Sequence, residues 1–254
     1  MLLNSRRIAI REKLILAGLY FSKYDLAGVK KLGFGSFLEA FNVIGYALGA
    51  KPASVKNYRD EFDPLFPNRR KGWHKRATRD YCLKVFEQYK DLDLEAFSGL
   101  VRSFVGWDEN TWSEMRPEEE KGDGESSFAK RLITGLAAEQ YFESVQPQLP
   151  EFNDCVLENT TRLGCGYDFR LRSEAHKDFL AVEVKGLKER TGTLAFTPKE
   201  HEVAAALNSR FFLFVVKNFG ESPFHEIYQD PLAGNLQFRK KERVVVHTSW
   251  LASV

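Results

Sequence analysis

The chain has 254 residues, 43% of them hydrophobic and 28% charged, which is typical of a soluble globular protein large enough for one or two domains. No apolar run is long enough to span a bilayer and no signal peptide begins the sequence, so we expect a cytoplasmic protein without a membrane partner. The net charge of +2 is unevenly spread: residues 1–116 carry 20 Lys and Arg against 14 Asp and Glu, and the remainder carries 17 against 21. A basic front half joined to an acidic back half favours a nucleic-acid reader linked to a metal-using part.

Three cysteines, Cys82, Cys155 and Cys165, form no CxxC pair. We therefore expect a reducing compartment, no structural zinc and no disulfide framework. Cys165 has no histidine near it in sequence that would activate it as a nucleophile.

The first part of the chain is expected to be helical. Apolar residues recur at spacings of three and four in several segments, and glycines separate them. The predicted helices cover residues 8–20, 25–32 with Asp25 as N-cap, 37–49 after Ser36, and 53–62.

The last two of these helices, separated by the short turn Ala50–Pro52, have the sequence form of a helix-turn-helix. In that arrangement the second helix enters the major groove, where Arg reads guanine and Asn reads adenine. The candidate DNA-contacting residues are Ser54, Lys56, Asn57 and Arg59. The alternative is an ordinary helical hairpin whose basic residues are only solvated.

A basic stretch follows from Asn68 to Arg76, with Trp73 and His74 inside it. Basic residues around an aromatic ring suit phosphate contact and base stacking, although a solvated loop is the alternative. The candidate DNA-binding side chains here are Arg69, Arg70, Lys71, Lys75 and Arg76.

Two further helices, 78–89 and 92–105, complete a predicted helical domain of residues 1–105. An acidic, glycine- and proline-containing segment at 106–126 is expected to be a linker. Residues 127–254 then form the second predicted domain, which begins with a helix over 127–142. In this helix Gly135 is expected to allow close packing on a sheet.

The strongest pattern in the chain lies at 177–190, whose apolar centre predicts a β-strand ending at Gly186. Glu183 and Lys185 interrupt it and project to one face, while Val182 and Val184 point the other way into a core. Because burying a charge without a partner costs free energy, we expect a partner for this pair.

The expected partner is Asp168, which follows a glycine turn and opens a short strand. Two adjacent strands would bring Asp168, Glu183 and Lys185 together. Two carboxylates and a backbone carbonyl, that of Val184, suit a hard cation such as Mg²⁺, with Mn²⁺ as a substitute. Such a metal lowers the pKa of bound water, and a neighbouring lysine orients that water or neutralises developing charge.

Tyr167-Asp168 followed by Glu183-Val184-Lys185 resembles the PD-(D/E)xK nuclease superfamily, with Tyr167 in place of the proline. The surrounding GCGYDF and EVKGL are similar to Mrr-like restriction endonucleases and to the C-terminal domain of the No Vein protein, over roughly residues 126–232. The resemblance implies an α/β (α+β) domain, restriction-endonuclease-like, with a mixed sheet flanked by helices in the order α-β-β-β-α-β. It also implies an acid on the preceding helix, matched here by Glu139 within GLAAEQYF. Glu139 would bind a metal or hold its water ligand; a surface glutamate is the alternative.

The rest of the chain completes this second domain. Thr197, Pro198 and Glu200 form a helix start with a capping box, so we assign Glu200 a structural role and not a catalytic one. Strands are predicted at 154–158, 211–216 and 227–231, with a terminal edge strand over 237–247.

These observations predict a Mg²⁺-dependent endonuclease that hydrolyses double-stranded DNA, a restriction or defence enzyme of a prokaryotic cytosol. Asp168, Glu183, Val184 and Glu139 are the expected metal ligands, and Lys185 is the expected catalytic lysine. Cutting both strands requires two sites, so a homodimer is expected. The alternatives are a non-catalytic DNA-binding regulator and a protein-interaction module of a defence system.

Overall fold

The computed structural model describes residues 8–104, 124–173, 178–234 and 236–242, and for residues 124–131 it describes the backbone only. The helical front half contains five α-helices in these residues. They are α1 (Ile10–Lys31), α2 (Phe37–Ala47), α3 (Pro52–Phe62), α4 (Asp80–Tyr89) and α5 (Leu94–Ser103). None of the described helices has the length and apolar character needed to cross a lipid bilayer.

Local capping explains where several of these helices begin. The Ser36 hydroxyl accepts a hydrogen bond from the Glu39 N–H at 3.1 Å, as an N-cap does. Asp93 caps α5 in the same way through the Ala96 N–H, at 2.8 Å. Within α1 the backbone of Asp25 is non-helical, with φ 50° and ψ −138°, so a kink falls where the sequence predicts a second helix to begin.

The back half is the predicted mixed sheet flanked by helices. Its elements are α6 (Gly124–Val145), β1 (Val156–Asn159), β2 (Phe169–Arg172), β3 (Leu180–Gly186), α7 (Pro198–Leu207), β4 (Phe211–Lys217) and β5 (Phe224–Gln229). The predicted α-β-β-β-α-β order is confirmed, and β5 extends it.

The five strands lie in the order β1-β2-β3-β4-β5. The pairs β1–β2, β2–β3 and β4–β5 are antiparallel, whereas β3 and β4 are parallel with Val182 opposite Phe212. A parallel pair requires a crossover connection, and α7 provides it. The terminal strand predicted over 237–247 is wrong for 237–242, where no strand forms, and its remainder falls outside the described residues.

Side chains alternate across β3 as predicted. Val182 and Val184, 0% and 5% exposed, belong to the core that contains Phe142 of α6 and Phe214 of β4. Ala181 packs on the opposite face with Ala204 of α7. The sheet therefore has α6 on one face and α7 on the other, and the odd-numbered residues of β3 share the face that bears α7.

A close approach joins the end of β3 to α6, and it depends on a different glycine from the one expected. A Cβ added at Gly186 would lie 2.8 Å from the Thr134 carbonyl oxygen of α6, whereas a Cβ at Gly135 would meet nothing within 4 Å. The expectation for Gly135 is therefore wrong, because that position of the helix does not face the sheet.

One continuous hydrophobic core runs from the helical half through α6 into the sheet. Tyr46 of α2 packs edge-on against Tyr141 of α6, with ring centroids 5.1 Å apart. Asn42 of α2 donates hydrogen bonds to the carbonyls of Phe219 and Glu221 beyond β4, each at 2.9 Å. The domain boundaries at 105 and 127 stay a prediction, and most of the proposed linker lies outside the described residues.

Candidate active site

The antiparallel pairing of β2 with β3 brings Asp168 to the middle of β3. The Asp168 N–H donates to the Val182 carbonyl at 3.0 Å, which extends the ladder by one residue. Its carboxylate oxygen Oδ2 accepts the Val184 N–H at 2.8 Å. Before it, Gly166 has φ +90°, and a Cβ there would lie 2.9 Å from Val203 of α7. A glycine is therefore needed for the turn that delivers Asp168.

Glu183 and Lys185 project to the same face of β3, as alternation predicts. The Lys185 ammonium contacts Glu183 Oε1 at 2.5 Å. Glu183 is 3% exposed, so this charged group is almost fully removed from water. The predicted meeting of Asp168, Glu183 and Lys185 is present: the first two are linked through one strand ladder, and the lysine contacts the second.

Glu139 is a half-buried residue of α6. Burial, followed by repulsion from Asp168 and Glu143, raises the pKa of Glu139 to about 7, while Lys185 opposes this shift. Asp168 and Lys185 therefore both act electrostatically on the Glu139 carboxyl group. The role of Glu139 as a metal ligand or as the holder of a water ligand stays a prediction.

The other charged groups of the cluster are also perturbed. Burial raises the pKa of Asp168 to about 6, although its hydrogen bond from Val184 and the charge of Lys185 oppose this. Burial and the Asp168 carboxylate raise the pKa of Glu183. Burial lowers the pKa of Lys185, but Glu183 and Glu200 outweigh it and raise the pKa above its ordinary value. The cluster thus combines three carboxyl groups, whose pKa values are raised mainly by burial, with one lysine, whose pKa is raised by its carboxylate neighbours.

The oxygen atoms of these side chains are of the kind that a hard divalent cation prefers. Asp168, Glu183 and Glu139 supply carboxyl groups whose pKa values are raised first by burial and then by neighbouring acids. The last paired residues of β2 and β3 are Phe169 and Val182. The Val184 carbonyl points to the same side of the strand as the Val184 N–H, which is the side of Asp168. This carbonyl therefore lies beyond the last paired residues.

In the part of the chain that the structure describes, no three His, Cys, Asp or Glu side chains are close enough to share an ion. Glu183 would have to turn from Lys185 to become a ligand, because its Oε1 is engaged by the ammonium.

Sequence reasoning gave Glu200 a capping role only, and the structure adds a contact with Lys185. The predicted capping box is confirmed: Thr197 accepts the Glu200 N–H and Glu200 Oε2 accepts the Thr197 N–H, at 3.2 and 2.9 Å. The same Oε2 also accepts from Lys185 Nζ at 3.0 Å. The crossover connection from β3 to β4 is the sequence feature that predicts this contact, because the helix after a parallel strand begins near the carboxyl end of that strand.

Several other polar residues near the site have structural partners or face solvent. Arg170 donates to the Tyr167 hydroxyl at 2.8 Å. Cys165 is half-buried, and its thiol lies 3.5 Å from the Tyr167 carbonyl. His201 and Thr191 are exposed.

The candidate DNA-binding residues fall into two groups. Arg59 contacts Asp60 at 2.5 Å and lies over the rings of Phe37 and Phe41, so it is held within the protein. Arg70 forms a two-point ion pair with Asp63 and a further contact with Asp25 at 2.6 Å. Ser54 is half-buried, and the remaining candidates are exposed: Lys56, Asn57, Arg69, Lys71, Lys75 and Arg76.

The aromatic ring of the basic stretch is already covered. The Arg76 guanidinium lies 3.9 Å from the Trp73 ring centroid, and Arg76 also pairs with the buried Glu61 at 3.7 Å. Residues 72–76 line an open pocket of about 290 Å³. Phosphate contact therefore fits this surface better than base stacking on Trp73.

No curated protein and no solved structure matches the chain significantly. One family model does match, over residues 138–229, just over a third of the chain. This segment runs from α6 to the end of β5 and includes Glu139, Asp168, Glu183, Lys185 and Glu200. The segment that carries the candidate site is thus similar to the family described as Protein NO VEIN, C-terminal.

Proposed function

We propose that this chain is a divalent-metal-dependent endonuclease that hydrolyses phosphodiester bonds of double-stranded DNA, in a restriction or defence role in a prokaryotic cytoplasm. The observation that carries the proposal is the contact of Lys185 with Glu183 on the strand whose Val184 N–H is accepted by the Asp168 carboxylate. A buried acidic cluster with one lysine suits chemistry on a negatively charged phosphodiester once a cation is bound.

In the proposed reaction a water oxygen bonds to phosphorus, the ester P–O bond breaks, and the leaving oxygen takes up a proton. Asp168, Glu183 and the Val184 carbonyl would hold Mg²⁺, or Mn²⁺ in its place, and Glu139 would hold a further ligand or a water. When bound, the metal lowers the pKa of water and stabilises charge on the phosphoryl oxygens. Lys185 supplies a fixed ammonium beside the attacking water and the developing negative charge.

The exposed basic residues of the helical half would hold the duplex. Lys56 and Asn57 are exposed on α3, and Lys71 and Lys75 are exposed on the basic stretch. Arg59 and Arg70 are left out of this interface because their guanidinium groups are engaged inside the protein.

Two-strand cutting requires two sites, so we extend the proposal to a homodimer on DNA. Mass measurement by light scattering after gel filtration, with and without a duplex, checks this. A mass of one chain under both conditions would count against a dimer.

The deciding experiment is cleavage of modified and unmodified plasmid and genomic DNA with Mg²⁺ or with EDTA. Asp168→Asn keeps an oxygen that can accept the Val184 N–H but removes the charge, and Lys185→Met keeps the aliphatic stem. We expect both to reduce cleavage at least about 100-fold, as is common when a group that acts on the transition state is removed. Lys84→Met, on the exposed face of α4, is the matched control.

Metal-dependent cutting by the wild type and Lys84→Met, lost in both site variants, is the result expected. If no substrate is cut while DNA is still bound, the chain acts as a DNA-binding regulator or requires a partner subunit. Cutting that survives in both site variants would place the active site elsewhere.

A further inference from the structure

The Lys185 ammonium is held by residues of two elements. From β3, Glu183 Oε1 lies 2.5 Å from Nζ, and from α7, Glu200 Oε2 lies 3.0 Å away. The Phe196 ring, one residue before the α7 N-cap, has its centroid 5.8 Å from Nζ. One lysine therefore bridges two carboxylates that belong to different parts of the fold.

The Glu183 carboxylate cannot bind Lys185 and a divalent cation equally well. If its carboxylate turns to a divalent cation, Lys185 loses its nearest counter-ion at the same moment as a second positive charge arrives. An ammonium in a partly buried site would then be repelled toward solvent unless another carboxylate retained it.

Glu200 is positioned to act as that second carboxylate. Its Oε2 also accepts the Thr197 N–H at 2.9 Å, so the start of α7 fixes the side chain in place whichever partner Glu183 takes. The Glu200 and Lys185 side chains are 15% and 22% exposed, so their attraction is less screened than that of a surface ion pair.

We propose that Glu200 is a positioning residue, which keeps the Lys185 ammonium at the site when Glu183 turns to a divalent cation. This inference rests on the proposed function, since it requires the site to bind such a cation. It gives the capping box of α7 a second purpose, which is to tie the catalytic lysine to a helix terminus. Glu200 acts through Lys185 and not on the substrate.

The test is a double-substitution cycle read by Mg²⁺ affinity, measured by isothermal titration calorimetry on the full chain without DNA. The four proteins are the wild type, Glu200→Gln, Lys185→Met and the double variant. Glu200→Gln retains an oxygen for the Thr197 N–H and lacks the charge that competes with Glu183 for Lys185. We expect this change to weaken Mg²⁺ binding about fivefold when Lys185 is present, and about twofold or less in the Lys185→Met background.

Equal fold-changes in the two backgrounds, or no change in either, would overturn the inference. Equal weakening would mean that Glu200 acts on the cation by its own charge. A wild type that binds no Mg²⁺ would defeat the proposed metal chemistry as well, which distinguishes that failure from a failure of Glu200 alone.

Thr197→Ala separates helix capping from lysine positioning. It removes the other half of the capping box but leaves the Glu200 carboxylate beside Lys185. We expect a lower Tm with unchanged Mg²⁺ affinity. If Thr197→Ala weakens Mg²⁺ binding as much as Glu200→Gln does, the effect comes from the helix and the inference is wrong. Glu200→Ala, expected to show the same dependence on Lys185, is the second variant if Glu200→Gln folds poorly.

Discussion

The environment of Glu139 disfavours the ionised form of its carboxyl group. Its half-buried carboxyl lies near the charges of Asp168 and Glu143, and its pKa rises to about 7. A carboxyl whose pKa is higher in the folded than in the unfolded chain binds protons more readily when folded. Its contribution to stability is therefore fully present below the unfolded pKa and is lost as the pH rises through about 7.

We predict that Glu139→Gln removes this loss of stability with rising pH. Between pH 5 and pH 8 the wild type, without metal, should lose about 2 kcal/mol more of its unfolding free energy than the variant does, because an amide does not ionise. Urea denaturation at several pH values in EDTA measures this difference.

Glu202→Gln, at an exposed position of α7, is the control and should show the pH dependence of the wild type. If Glu139→Gln follows the same curve as the wild type, the Glu139 carboxyl is not the perturbed group that we describe.

At the scale of elements, the contact between β3 and α6 aligns the strand that carries Glu183 and Lys185 with the helix that carries Glu139. Gly186 permits this approach because a side chain there would press on the Thr134 carbonyl. Gly135 differs from Gly186, because it lies within α6 away from this interface and has free space around it.

We predict opposite effects from alanine at these two positions. Gly186→Ala should destabilise the protein by about 2 kcal/mol, because backbone atoms cannot yield as a flexible side chain can. Gly135→Ala should stabilise it by about 0.5–1 kcal/mol, the usual gain in a helix interior.

Thermal and urea unfolding of the two variants measure these changes. A stabilising Gly186→Ala or a strongly destabilising Gly135→Ala would contradict the packing described here.

At the scale of the whole molecule, the helical half and the sheet share one hydrophobic core. Asn42 links them through two hydrogen bonds to the turn after β4. Because α2 packs on α6, and α6 carries Glu139, the helical half is part of the support of the candidate site.

We predict that Asn42→Ala destabilises both halves together. It leaves the carbonyls of Phe219 and Glu221 without these donors, which should cost about 2 kcal/mol. Amide hydrogen exchange should accelerate in β4 and α6 as well as in α2. Faster exchange confined to α2 would mean that the two halves unfold independently, as the predicted domain division would allow.

The exposed basic stretch provides a further prediction at this scale, on DNA binding. Lys71→Ala and Lys75→Ala should each weaken duplex binding and lower the slope of log K against log salt by about 1. Lys84→Ala removes the same charge from α4 and is the control.

Fluorescence anisotropy at several salt concentrations measures the slopes. If all three variants lose affinity equally, only net charge matters and the basic stretch is not the interface.

The sequence by itself determined most of the local structure. Hydrophobic periodicity and cap residues predicted the helices, and the alternation of charged and apolar residues in β3 placed Glu183 and Lys185 on one face, since these features act over a few neighbouring residues. Asp168 could be paired with them because a short hairpin-like connection leaves few registers for two adjacent strands.

Only the tertiary structure decided which long-range contacts those residues make. Arg59 and Arg70 look like DNA contacts in the sequence, but the fold closes aromatic rings and carboxylates around them. The close approach between β3 and α6 depends on Gly186 and not on Gly135. Glu200 joins the site because the crossover returns the start of α7 to Lys185. These outcomes depend on how elements distant in sequence pack together, and no local pattern encodes that packing.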